Sequence, residues 1–404
     1  RPRRRIRGPA RRSPVLSRDL RTVSASLLLW GIGEGMFMYF LAIYLETLGA
    51  SPVQIGGILG IAGAALALTH IPAGALSDIV SRRAMMVVSW TLGTVATWVM
   101  FAASTLPIFS VGLVMYFMTN FVMAPMSSYI TSGRGQWPAA RALTTVYAGY
   151  SVGAIAGPLI GGLLAPRLGV RPLFAIAGVF FIFSTVLILL IRAQPPEASA
   201  PGQRYRPLLR NRRLAHFLPL AFLAMFAMYL SWPLTPNYLQ DLHAVSLSSL
   251  GAFGAFNALG VLILNLTLGR RSTVPAFLLS QVLVGVSVLL FWQASAAAAF
   301  ALAYFLAGGF RSSRSLIIAM VDGFVGRAEL GMAFGLMETV GALVIVAAPP
   351  LAGVLYEIRP DLPYPVSLVL IAFGVALSAV YMRRTHLPPA PVEVVMVERI
   401  PGGD

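Results

Sequence analysis

Two arginines, Arg311 and Arg314, lie three residues apart inside Ala296–Val321, an apolar run long enough to cross a bilayer. On a helix that spacing puts both guanidinium groups on one face. A charge near the bilayer centre costs about 2.5–3.5 kcal/mol on insertion scales, so such a pair must face protein or water. Its planar forks suit carboxylate, phosphate or sulfate, or sugar hydroxyls. Two carboxylates share the depth. Glu34 stands ten residues into an apolar run that begins at 24, about 15 Å along a helix and close to the midplane. Glu338 is eight residues into another, roughly 12 Å deep and level with Arg314. A pair between Arg314 and Glu338 is expected on neighbouring antiparallel helices, and it leaves Arg311 and Glu34 without obvious partners. Carboxylates so placed can load and release a proton, which makes Glu34 and Glu338 the candidates for proton coupling. The same four groups can also serve only as a buried network that holds helices together.

The elements that must carry these residues are membrane spans. Hydrophobic residues make up 57% of the 404 and charged residues 11%, too few to cover the surface of a soluble domain. About 20 apolar residues cross a bilayer. Twelve stretches qualify: about 24–47, 53–76, 84–104, 107–131, 142–165, 172–191, 214–239, 247–268, 274–294, 296–321, 330–355 and 364–382. The net charge of +16 suggests nucleic acid until its distribution is followed. With the N-terminus inside, arginines crowd the segments on one side, and only Arg167, Arg171 and Arg359 fall on the other. That asymmetry predicts cytoplasmic termini and a protein of the cytoplasmic membrane, with no nucleic-acid partner. The basic stretch before Thr22 has no apolar core followed by a cleavage site. It is expected to lie on anionic headgroups or to serve topology alone. Cysteine is absent, so disulfide, iron–sulfur and thiolate chemistry are excluded. His70, His216, His243 and His386 are scattered, and no metal site or cofactor is expected. No nucleophile–base set or nucleotide loop appears, so the chain does not read as an enzyme.

The sequence also repeats itself. Tyr44–Gly56 reads YLETLGASPVQIG and Tyr238–Gly251 reads YLQDLHAVSLSSLG; Ala156–Leu164 reads AGPLIGGLL and Ala348–Tyr356 reads APPLAGVLY. Pro158 aligns with Pro350 and Gly161 with Gly353. Two six-helix halves of one ancestry are implied. The predicted organisation is a basic tail (1–21), an N-terminal bundle (22–192), a polar linker (193–213), a C-terminal bundle (214–384) and a second tail (385–404). The loop after the second span reads Gly74-Ala-Leu-Ser-Asp78-Ile-Val-Ser-Arg82-Arg83. It resembles the signature between helices 2 and 3 of the major facilitator superfamily, with Ile79 and Ser81 departing from the pattern. The second half keeps only Gly269-Arg270-Arg271.

That resemblance implies an all-α integral membrane fold of twelve helices in two six-helix bundles, acting as a monomer on a small-molecule substrate. It implies a cytoplasmic latch from Gly74, Asp78, Arg82 and Arg83, although the arginines can serve topology alone. Asp322 with Arg327 resembles a weaker second-half latch, and His70 reads as a helix–helix hydrogen-bonding residue. Gly149, Gly153, Gly157, Pro158, Gly161 and Gly162 in the fifth span are similar to the motif of proton-coupled drug exporters, with Thr144 replacing an upstream glycine. Small residues of this kind also serve packing alone. The first, fourth, seventh and tenth helices line the cavity in this family, which turns Glu34, Arg311 and Arg314 toward the substrate path. Among the methionines, aromatics and amides of these spans, Tyr116, Asn120, Tyr150 and Trp232 are expected at the cavity, and Asn257 lies in the eighth span. The expected function is proton-coupled export of a small amphipathic compound. Its alternatives are a carrier of an organic anion or sugar bound by Arg311 and Arg314, and a membrane protein that transports nothing.

Overall fold

The computed structural model describes residues 16–77, 81–194, 211–322, 324–325 and 330–385, all of them helix, turn or connecting segment. The first half runs α1 (Arg18–Met38), α2 (Leu41–Thr47), α3 (Pro52–Ser77), α4 (Arg82–Ala102), α5 (Leu106–Met118), α6 (Met123–Ser132), α7 (Ala139–Leu168) and α8 (Arg171–Leu189). The second runs α9 (Arg212–Tyr229), α10 (Thr235–His243), α11 (Leu247–Leu268), α12 (Thr273–Gln293), α13 (Ala297–Ala307), α14 (Gly309–Asp322), α15 (Leu330–Ile358) and α16 (Pro363–Thr385). Ser17, Ser81, Asn211 and Ser246 cap helix starts through their side chains, satisfying amides that have no partner within the helix.

Among the described residues ten helices are long and apolar enough to cross a membrane, or eleven if α1 and α2, bent by 45°, count as one. The segment expected as the tenth span does not meet that standard, because Arg311, Ser312, Ser313, Arg314 and Ser315 make α14 polar. Four of the expected spans are interrupted midway. α1 gives way to α2 at Tyr39 and Phe40, and α5 to α6 through a 3₁₀ turn at Thr119–Val122. α9 passes to α10 through a 3₁₀ turn at Trp232–Leu234, and α13 to α14 at Gly308. Pro233 and Pro236 account for the third break, since neither can donate to the helix ladder. Threonine side chains add bonds to carbonyls at two of the breaks: Thr119 Oγ1 donates to Tyr116 O at 2.6 Å and Thr235 Oγ1 to Ser231 O at 2.8 Å.

Within lipid, helices gain little from burying apolar groups, so close approach and polar ties hold them together. α7 lies against α1 through its glycine face. A Cβ on Gly149, Gly153, Gly157 or Gly161 would meet backbone at Ser24, Leu28, Ile32 or Met36. Trp90 Nε1 donates to Ser26 Oγ and Ser184 Oγ at 2.9 and 2.8 Å, tying α1, α4 and α8. An aromatic core closes around it, with Trp30 stacked on Phe181 at 4.1 Å between centroids.

The halves meet along two helix pairs. Gly56, Gly60 and Gly63 of α3 sit against Pro349, Pro350 and Ile345 of α15, and Gly353 against Pro52. Gly251 and Gly254 of α11 sit against Pro158 of α7, and Gly162 of α7 against Gly251. Gly56 and Gly251 occupy the same place in the aligned repeats, as do Pro158 and Pro350, so the repeat surfaces as two equivalent seams. At the end of the seams away from Arg82, Arg134 and Arg213, the halves are stitched further. Asn237 Nδ2 donates to Glu46, and the Val53 amide to Glu357 Oε2 at 3.3 Å.

Candidate functional site

Glu34 lies on α1, five residues before the break at Tyr39, and Tyr150 of α7 donates its hydroxyl to Glu34 Oε2 at 3.2 Å. Tyr116 of α5 and Trp30 of α1 turn polar hydrogens toward the same carboxylate. Neutral donors of the first half therefore surround it on three sides. Opposite stands Arg311, three residues past the break at Gly308 and on the other half. Its guanidinium interacts electrostatically with Glu34, Tyr39, Tyr150 and Tyr229. Arg311 has accessible surface, and the groups it interacts with, the Glu34 carboxylate and three tyrosines, come from α1, the break at Tyr39, α7 and α9.

Arg314, one turn further along α14, pairs with Glu338 of α15. Both keep more than a third of their side-chain surface accessible, 38% and 39%. Sequence spacing anticipated this pair. Arg311 and Glu34, which the spacing left without obvious partners, form no ion pair with each other among the described residues, yet they interact electrostatically between the halves. Sequential numbering hides that relation because 277 residues separate them.

Tyr39, at the break itself, donates to Asn257 Oδ1 at 3.0 Å, and Asn257 Nδ2 donates to the Tyr304 carbonyl at 2.8 Å. Trp232 stands edge-on to both tyrosines, at 6.4 Å from Tyr39 and 5.5 Å from Tyr304 between centroids. Tyr39, Asn257, Tyr304 and Tyr229 were not picked out by sequence reasoning as cavity residues. The signal available was a polar atom within an apolar span, which Asn257 carries and three tyrosines carry only weakly.

The other expected residues disperse. Tyr116 is almost fully buried, packed among Trp30, Phe37 and Phe181, and only its hydroxyl side reaches Glu34. Asn120 bonds locally, to the Phe117 carbonyl at 3.2 Å, within its 3₁₀ turn. Gly153, Gly157 and Gly161 pack α7 on α1, while Pro158 and Gly162 meet α11 of the other half. The glycine motif is thus a packing face with one edge on the seam. Arg82 Nη1 donates to Ser132 Oγ and Arg83 Nη2 to the Leu189 carbonyl, both at 2.7 Å and both within the first half. Asp78 and Arg327 lie outside the described residues, and of His70, Gly74 and Asp322 only the backbone is described.

A shape of this kind is shared by known carriers. The family model of the Major Facilitator Superfamily matches residues 23–273 and 217–397. The chain belongs to that family. It is a multi-pass membrane transporter and not an enzyme. The multi-drug resistance efflux pump PmrA of Streptococcus pneumoniae is 24% identical over 237 residues, 55% of this chain and 59% of the pump. The chain therefore aligns with less than two thirds of that relative's length. Among solved structures, a point mutant of the nucleoside transporter NupG superposes with a TM-score of 0.78 at 14% identity, over 90% of this chain and 99% of that one. A bacterial homologue of the human lysosomal transporter Spinster, inward-facing and occupied, gives 0.71 at 15%, over 91% and 96%. The human organic anion transporter MFSD10 gives 0.66 at 17%, over 89% and 99%. At such identities these likenesses speak for the fold.

Proposed function

We propose that this superfamily member is a proton-coupled secondary transporter that exports a small amphipathic compound by alternating access. Its twelve spans form two six-helix bundles, 22–192 and 214–384, with the arginine-rich end and both tails in the cytoplasm of a cell whose plasma membrane it occupies. The observation that carries the reading is Glu34, held by Tyr150 in one half and facing Arg311 of the other across the seam. A carboxylate there can exchange a proton as the halves rock, and Tyr39 and Trp232 offer an aromatic wall to an apolar body. Export draws support from the partial similarity to PmrA.

A second reading, a carrier of small anions or sugars, is favoured by one feature. Among the described residues Arg311 forms no ion pair, although Arg314 beside it does. Everted vesicles holding the chain test the first reading with a panel of amphipathic compounds of both charges. Accumulation driven by an imposed pH difference across the vesicle membrane, abolished by an uncoupler and by Glu34→Gln at matched expression, is expected. Accumulation that survives Glu34→Gln refutes coupling at that residue.

A further inference from the structure

Away from the ends of the spans, the described residues carry four carboxylate or guanidinium groups: Glu34, Arg311, Arg314 and Glu338. Arg314 and Glu338 neutralise each other. The remaining balance rests on Glu34 and Arg311 alone. While Glu34 is ionised the site is neutral, and its charge is matched by the guanidinium opposite. Once Glu34 takes a proton, Arg311 keeps a positive charge with no counter-charge at bilayer depth, on an accessible guanidinium that an anion can approach.

Among the described residues no other group takes over the role of Glu34. Facing the carboxylate are Trp30 of α1, Tyr39 at the break after it, Tyr116 of α5, Tyr150 of α7 and Arg311 of α14. Facing Arg311 are Glu34, Tyr39, Tyr150 and, from α9, Tyr229. α11 contributes the neutral Asn257, and Glu338 of α15 is engaged by Arg314. Every one of these neighbours except Glu34 is neutral, cationic or already paired. A cationic cargo would meet Arg311 with no spare carboxylate once Glu34 is protonated. A neutral cargo would leave the charge unmatched.

From this charge balance, which rests on the proton-coupled reading of the same site, we propose that the cargo carries one negative charge, that Arg311 holds it, and that it binds together with a proton on Glu34. Proton and anion then cross as an electroneutral pair. Arg311's fork suits a carboxylate, sulfonate or phosphate monoester headgroup. The apolar body is placed against Tyr39 and Trp232, because Tyr39 lies both within electrostatic reach of Arg311 and edge-on to Trp232. The cargo class is therefore an aromatic or amphipathic monoanion. Direction follows the sum of the two gradients, so the pair leaves the cell wherever the anion accumulates inside.

The test uses purified full-length chain and two probes that stay ionised from pH 5.5 to pH 8: p-toluenesulfonate and benzyltrimethylammonium. Binding is read by quenching of tryptophan fluorescence, and proton movement by a dye in weak buffer. The sulfonate is expected to bind with uptake of one proton, its affinity rising about tenfold for each unit of pH lost across the responsive range. Glu34→Gln should bind it equally at both pH values without proton uptake. Arg311→Gln should lose it, and Arg311→Lys should retain part, which separates loss of charge from misfolding. Failure of the sulfonate to bind more tightly at the lower pH overturns the assignment. Tighter binding of the ammonium probe with release of a proton overturns it too, yet leaves proton coupling at Glu34 standing. Loss of proton-driven flux in the vesicle assay is a separate result and bears on the transporter reading itself.

Discussion

Gly251 offers the sharpest handle on the seam between the halves. A Cβ at this position would lie 2.5 Å from Gly162 Cα and 2.8 Å from Gly162 N, and would press on the Pro158 carbonyl. All three obstacles are backbone, so no side chain can swing aside. Ordinary contact begins near 3.4 Å, so Gly251→Ala must part α7 and α11 by about 0.9 Å or bend them. Overpacking of that order costs about 1–3 kcal/mol. The cost falls only on the arrangement in which this seam is closed. A penalty of about 2 kcal/mol then shifts the balance toward the alternative arrangement roughly 30-fold. Gly153→Ala is the control: its Cβ would meet Leu28 and Ile32, within one half, and penalises every arrangement alike. Because the chain has no cysteine, spin labels can be placed at Thr47→Cys and Leu242→Cys, exposed positions on α2 and α10 of opposite halves. Pulsed electron–electron distance measurements should show a longer population growing in Gly251→Ala and in its repeat equivalent Gly56→Ala, and not in Gly153→Ala. A distribution unmoved by Gly251→Ala, or moved equally by Gly153→Ala, refutes the reasoning.

Two further substitutions probe the site. Tyr39→Phe keeps the ring against Trp232 but removes the 3.0 Å bond to Asn257 that crosses the seam. A buried bond of that kind in a membrane protein contributes about 0.6 kcal/mol, so the same spin-label pair should report a shift of roughly threefold. Glu338→Gln orphans Arg314, but both side chains are more than a third accessible at 38% and 39%, so water screens the loss. The melting point should fall by no more than about 1 kcal/mol of stability implies, and Arg314→Gln added to it should restore most of the drop. A loss nearer the roughly 3–5 kcal/mol of a sealed pair would mean that water does not reach this part of the space between the halves.

The sequence announced the helices through composition and the Arg314–Glu338 pair through depth, since rise per residue alone set both groups at one level. The equivalence of Gly56 with Gly251 was readable as a repeat, and its meaning as two matching seams needed coordinates. What stayed hidden depended on long-range pairing. The facing of Glu34 and Arg311 joins residues on different halves, and no local pattern encodes it. The breaks were half legible: Pro233 and Pro236 and the Gly308–Gly309 pair are ordinary helix breakers. The bend at Tyr39 and Phe40 carries no such marker and is set by tertiary packing. The glycines of α7 were legible as packing residues, and they form the bearing of α7 on α1.

Division of labour among the helices ties the seam to the site. α3, α7, α11 and α15 run unbroken and meet across the halves through glycine and proline, so they can slide as rigid rods. The charges of the site lie on other elements, Glu34 on α1 and Arg311 on α14, each close to a break where backbone direction changes. α11 connects the two systems. Gly251 and Gly254 touch Pro158 on the seam, and a Cβ on Gly254 would also strike the Tyr39 ring. One turn further, Asn257 holds the Tyr39 hydroxyl and the Tyr304 carbonyl. Any movement of α11 against α7 must therefore displace Asn257 relative to Tyr39. Tyr39 in turn borders Arg311, so motion of the halves changes the surroundings of the charge opposite Glu34. The proposed coupling between proton and cargo would need no remote pathway, because seam and site share α11 within two turns.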